Sequence, residues 1–108
     1  MPGSNRQRFI YHFEFLRPLD TWDADVKGIA RAHVAYLTAA AEEWTLVLAG
    51  RSTDGEGPAV VIIETDSREE AERFMARDPF VAGRIMRASL HPFRVSLTRR
   101  NDGATASC

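Results

Sequence analysis

Trp44-Thr45-Leu46-Val47-Leu48-Ala49, then a loop from Gly50 to Pro58 carrying Asp54-Gly55, then Ala59-Val60-Val61-Ile62-Ile63-Glu64, is the stretch that decides the fold. Two apolar runs flank a glycine-rich segment with an Asp-Gly pair, the signature of an antiparallel hairpin. Neither run alternates apolar with polar. Leu46 and Leu48 oppose Val47, and Val60 and Ile62 oppose Val61 and Ile63, so both faces of each strand are apolar. A strand with one solvated face would alternate instead.

Working outward toward the N-terminus, Phe9 to Leu16 does alternate, with Phe9, Tyr11, Phe13 and Phe15 on one face. This predicts a strand that Arg17-Pro18 ends. Asp20 or Thr21 can cap a helix, on which Val26, Ile29, Ala30, His33, Leu37 and Ala40 recur at helical spacing to about Glu42. Toward the C-terminus, Ser67-Arg68-Glu69-Glu70 reads as a capping box. It opens a helix with the stripe Ala71, Phe74, Met75 and Asp78, which Pro79 interrupts and restarts as a short turn. A last strand is expected over Ser89 to Leu97.

The order βαββαβ suits an α+β, ferredoxin-like sandwich with both helices on one face of a four-stranded antiparallel sheet. Two helices cover only one face, and an apolar face left bare would exceed what a monomer tolerates. The expectation is a homodimer through the helix-free sheet face, with the hairpin strands in the middle of the sheet and Val47, Val61 or Ile62 buried there according to register. Residues 1–8 read as a flexible leader, 9–97 as one domain and 98–108 as a flexible tail.

Bulk properties narrow the function. The 108 residues suit one domain, and 44% apolar with 27% charged residues suits a globular protein. A formal charge of -1 with interspersed signs argues against nucleic acid and anionic membranes as partners. The longest apolar run is too short to span a bilayer, and the first residues are not a signal peptide, so a cytoplasmic location is expected. Cys108 is the sole cysteine, which rules out an internal disulfide.

His33 and Asp78 stand out because each is an ionisable group on the apolar stripe of its own helix. A His–Asp pair in apolar surroundings is the smallest acid–base device: the carboxylate fixes the imidazole tautomer and raises its basicity. Plainer readings are also open. His33 could be a neutral core histidine, and Asp before Pro is a good N-cap. One carboxylate oxygen could cap while the other faces His33, with a pocket beside the pair. Arg17 and Arg51 each follow a strand and could receive an anionic substrate at a cleft rim. Arg84 and Arg87 are weaker candidates. Tyr36 shares the His33 side of its helix, for substrate contact or core packing. Trp22 and Trp44 read as packing residues. His12 and His91 fall in strands, and the three histidines with Asp78 do not declare a metal site.

Several motifs in order give a resemblance: Arg31 and His33 with Tyr36-Leu37, Leu48-Ala49-Gly50, Ser67 with Glu70-Ala71, Asp78-Pro79-Phe80-Val81 with Gly83, and His91-Pro92-Phe93. Together they resemble the YciI-like, or YCII-related, family over nearly all of Phe9 to Val95. The resemblance implies a dimeric α+β barrel type of fold and an active-site pair mapping onto His33 and Asp78. Two departures are visible: Ala30 stands where the family often has Arg, with Arg31 one place later, and Arg51 stands where it often has Pro.

The resemblance also implies a family that includes a dehydrochlorinase acting on a chlorinated hydroxyquinol. The expectation is therefore a small cofactor-independent, metal-free enzyme. His33 would serve as general base and then acid, with Asp78 as its orienter, in an elimination or isomerisation of a small hydroxylated aromatic or acidic metabolite. The alternative is a non-catalytic metabolite-binding module or accessory subunit using the same cleft. A third reading is a structural dimer whose polar pair only fixes helix placement.

Overall fold

The computed structural model describes residues 6–99. Strand β1 (Gln7–Phe15) is followed by a 3-10 turn (Leu19–Thr21), helix α1 (Ala24–Glu42), strands β2 (Leu46–Arg51) and β3 (Ala59–Thr65), helix α2 (Arg68–Arg77), one turn of helix α3 (Pro79–Ala82) and strand β4 (Met86–Pro92). The sheet order is β2-β3-β1-β4 with every neighbouring pair antiparallel. This is the expected α+β, ferredoxin-like architecture.

The alternation in β1 sets the two faces. Phe9 and Tyr11 are buried with Val61, Ile63 and Leu90, and the same cluster receives Leu37 from α1 and Ala71 from α2. Both helices therefore cover one face. A second cluster of Val26, Phe80, Ile85 and Met86 fills the end where α1 meets α3. Register fixes the opposite face: Ile10 pairs with Ile62, which pairs with Leu48, while His12 pairs with Val60 and Ser89. Ion pairs bound this face, Arg8 with Glu64 at one end and Glu14 with Arg87 at the other.

Local chemistry moved several boundaries. Asp23, not Asp20 or Thr21, caps α1, its Oδ1 accepting the Val26 N–H at 3.0 Å. Thr21 instead turns back onto the Pro18 carbonyl through both its amide and its hydroxyl. Ser67 caps α2 as expected, accepting the Glu70 N–H at 3.2 Å. In the hairpin loop, Asp54 Oδ1 accepts from Glu56 and Gly57, and Gly55 takes a φ of 79°, which suits glycine. Strand β4 runs Met86–Pro92, earlier than Ser89 to Leu97, because the Arg84 turn (φ 58°) already reverses the chain onto β1.

Four further expectations are corrected. Strand β2 is an edge strand, so the middle strands are β3 and β1. Val61 faces the helices in the core and is no candidate for the helix-free face. Trp44 is not a packing residue: it sits at a φ of 66° where α1 ends, 64% exposed. Strand β1 also takes in Gln7 and Arg8, which sequence reading assigned to the leader. The rest of that leader, apart from Arg6, and the tail from residue 100 lie outside the described residues.

Candidate active site

Asp78 occupies the joint between two helices. Its N–H donates to the Met75 carbonyl, closing α2, and its carbonyl accepts from Val81 and Ala82, opening α3. Pro79 at the first position of α3 has no N–H to satisfy there, which makes the restart inexpensive. The Asp78 side chain is completely buried, and a buried carboxylate needs partners.

It has three. Oδ1 accepts His33 Nδ1 at 2.7 Å and the Phe80 N–H at 3.0 Å, and Oδ2 accepts the Tyr11 hydroxyl at 2.7 Å. The cap and the histidine thus share one oxygen, where the sequence had suggested one oxygen for each. Tyr11 takes the other. Tyr11 was missed as a site residue, although the signal was present: a tyrosine on an otherwise phenylalanine face of a strand carries a phenol into the core, and a buried phenol finds an acceptor. Burial, and then the facing Asp78 carboxylate, push the Tyr11 phenol far above its ordinary 10.0, so it remains a donor.

His33 projects from the third turn of α1, its side chain 14% exposed. The Phe80 ring lies 4.2 Å from the imidazole centroid to centroid, and Phe13 meets it edge-on at 5.8 Å. Trp22 backs Phe80 at 5.8 Å. Helix α3 therefore supplies both the amide that fixes Asp78 and the ring that covers His33. With Nδ1–H directed at the carboxylate, the free nitrogen of the neutral imidazole is Nε2, which has no hydrogen-bond partner among the described residues. An open Nε2 walled by aromatic rings, with Nδ1 held by a buried carboxylate, is a geometry able to take up and return a proton.

The other candidates fall into place around it. Tyr36 donates to the Phe74 carbonyl at 2.8 Å and packs against the Phe74 ring, the centroids 4.8 Å apart and the planes tilted by 34°. Burial, with the Asp78 charge, pushes its phenol up to about 12. Arg17 lies where β1 gives way to the 3-10 turn, its Nη2 reaching the Thr21 carbonyl and its own carbonyl accepting the Trp22 indole N–H. Its carbonyl meets the site through Trp22, which backs Phe80. Arg51 pairs with Ala59 at the same end of the sheet as Phe13, but two strands away from β1, about 10 Å. Two surface clefts, of about 440 and 320 Å³, have neither His33 nor Asp78 in their linings, so the pocket expected beside the pair is not one of these. The smaller is lined in part by Tyr36 and by Arg77, the chain neighbour of Asp78.

Residues 17–94 match the model of the YCII-related domain. The chain belongs to the YCII-related domain family. The matched segment contains His33 and Asp78 and leaves out Tyr11 and the rest of β1. Among solved structures, 5-chloro-2-hydroxyhydroquinone dehydrochlorinase (TftG) from Burkholderia phenoliruptrix AC1100, in complex with 2,5-dihydroxybenzoquinone, is similar with a TM-score of 0.59 and 21% identity, over 81% of this chain and 93% of that one. SnoaB, a cofactor-independent oxygenase from Streptomyces nogalater, aligns with a TM-score of 0.47 and 15% identity over 88% of this chain and 97% of that one. The dehydrochlorinase shares the fold of this YCII-related chain. No curated protein matches it significantly.

Proposed function

We propose that this YCII-related protein is a small enzyme that moves a proton with His33. The observation that carries the proposal is the 2.7 Å bond from His33 Nδ1 to a completely buried Asp78. A histidine serving only to fill space needs no ionisable partner at zero exposure, and such a partner is costly unless its interactions are needed. In this reading Nε2 removes a proton from the bound substrate, and Asp78 stabilises the imidazolium that results. A leaving group such as halide then departs with the electron pair, or the proton returns at another atom, giving elimination or isomerisation. The aromatic wall of Phe13, Phe80 and Trp22 suits a small flat substrate, a hydroxylated aromatic or a small acid. The quinone complex of the dehydrochlorinase makes hydroxyquinols and hydroxyquinones the compounds to try first.

The same proposal includes a homodimer through the helix-free face. Ile10, Val60, Ile62 and Leu48 form an apolar strip there, and Leu48 is 48% exposed. A second copy is the simplest cover for such a strip.

The test is a panel of chlorinated hydroquinols and hydroxyquinones incubated with the full chain, following halide release and the visible spectrum. Turnover by the wild type that falls about 10²–10⁴-fold in His33→Ala, with binding retained, supports the enzyme. Binding without turnover in both proteins supports a metabolite-binding module instead.

A further inference from the structure

The helix-free face carries a pair of side chains that the acid–base site does not use. His12 on β1 and His91 on β4 are diagonal neighbours across the strand pair, since His12 pairs with Ser89 and Ile10 with His91. Their Nε2 atoms are 3.4 Å apart, while the ring centroids are 5.3 Å apart and the planes parallel within 1°. The nitrogens are closer than the rings, so the two imidazoles turn their Nε2 edges toward each other.

We propose that His12 and His91 chelate a divalent transition-metal ion of the zinc, nickel or copper type through their Nε2 atoms. Distance carries the argument. Imidazole nitrogens bind zinc at about 2.0–2.1 Å, and two ligands on one tetrahedral centre are then about 3.4 Å apart. That is the separation here. It is also longer than a good hydrogen bond to nitrogen, so the contact has little to offer as a hydrogen bond alone. The two backbones are fixed by the β1–β4 ladder, which pre-organises the ligands. Both rings lie on the helix-free face, on the β4-edge side of the strip proposed to meet a second copy, and a small turn about χ2 brings the two lone pairs onto one ion at the margin of that contact. Imidazole donors select ions of this class over magnesium or calcium, which prefer oxygen. Among the described residues no group of three or more His, Cys, Asp or Glu converges on such a point, so water fills the remaining positions.

The test is calorimetric titration of the untagged full chain with Ni2+ and Zn2+, beside His12→Gln, His91→Gln, the double variant and His33→Gln. The expected result is one ion per chain, affinity weakened by at least roughly tenfold in each single variant and abolished in the double. His33→Gln should bind as the wild type does. Equal binding in the double variant, loss in His33→Gln, or no binding by the wild type would each overturn the assignment. Mg2+ in place of Ni2+ should give no heat of binding.

Discussion

Tyr11 and Asp78 lie 67 residues apart in the chain, and the phenol of one bonds the carboxylate of the other at 2.7 Å in the centre of the core. The bond links the first strand to the joint between α2 and α3, and holds the carboxylate from the side opposite His33. In the proposed enzyme Tyr11 is thus a positioning residue, acting on the imidazole through Asp78.

Tyr11→Phe should therefore cost about 1–3 kcal/mol of stability, the penalty for leaving a buried charged acceptor short of a donor. Tyr36→Phe gives up only a bond to a backbone carbonyl and should cost nearer 1 kcal/mol. Urea unfolding of the two variants in parallel checks the order. Equal losses would mean that Oδ2 finds another donor.

Asp78→Asn keeps an oxygen for the Phe80 N–H and His33 but loses the charge. It should fold, and lower the rate of any proton transfer at His33 by about 10²–10⁴-fold. Asp78→Ala removes the acceptor for all three donors and a helix cap together, and should destabilise by about 3–5 kcal/mol. Circular dichroism melts, with rates on any substrate found, separate the two outcomes.

Gly83 ends α3, and a Cβ built there would lie 2.9 Å from the Pro79 carbonyl oxygen and 3.0 Å from Ile29 Cδ1. Gly83→Ala should push α3 off α1 and cost about 1–3 kcal/mol. Gly28, inside α1, meets only Arg31 Nη2 at 3.7 Å, so Gly28→Ala should stabilise by about 0.5–1 kcal/mol. Melting temperatures moving in opposite directions would confirm both.

The buried Tyr11 phenol and the partly buried Tyr36 phenol both titrate above the ordinary 10.0 of tyrosine. A raised pKa in the fold means that the unfolded chain ionises first. The stability from keeping these phenols neutral is fully present below pH 10.0 and is lost as pH rises above it. Denaturant midpoints should fall across this range, and fall less steeply in Tyr36→Phe.

A dimer through the helix-free face should yield to Leu48→Glu, which puts a charge into the apolar strip at a position half exposed in the single chain. Sedimentation should show a dimer for the wild type at micromolar concentration and a monomer for the variant, with unchanged circular dichroism. A wild-type monomer would remove the dimer from the proposal.

The fold was legible because its signals are local: the alternation of β1, the Ser67 cap and the hairpin between two apolar runs are each readable within a dozen residues. His33 and Asp78 were legible as polar residues on apolar stripes. The position of β2 at an edge was not, since apolar content says how buried a strand wants to be and not which neighbour supplies the cover. Nor was the sharing of Oδ1 between cap and histidine, which depends on a rotamer. The approach of His12 to His91 depends on a diagonal register that neither strand encodes alone. Tyr11 lay between these cases, its burial readable and its partner not.

Because one aspartate both turns the chain from α2 into α3 and grips the histidine, the proposed proton-transfer site and the scaffold depend on the same residue. A lineage carrying this arrangement cannot drop that side chain outright without unsettling the helix joint; only a shape-conserving exchange such as asparagine keeps the cap while giving up the charge. In the proposed enzyme the rings that face the imidazole, Phe13 and Phe80, are the ones that set the shape of the substrate, and any exchange there also has to refill the core against Val26, Ile85 and Met86. A designer reworking this scaffold inherits the same coupling: the hinge and the lining of the site are parts of one packed core.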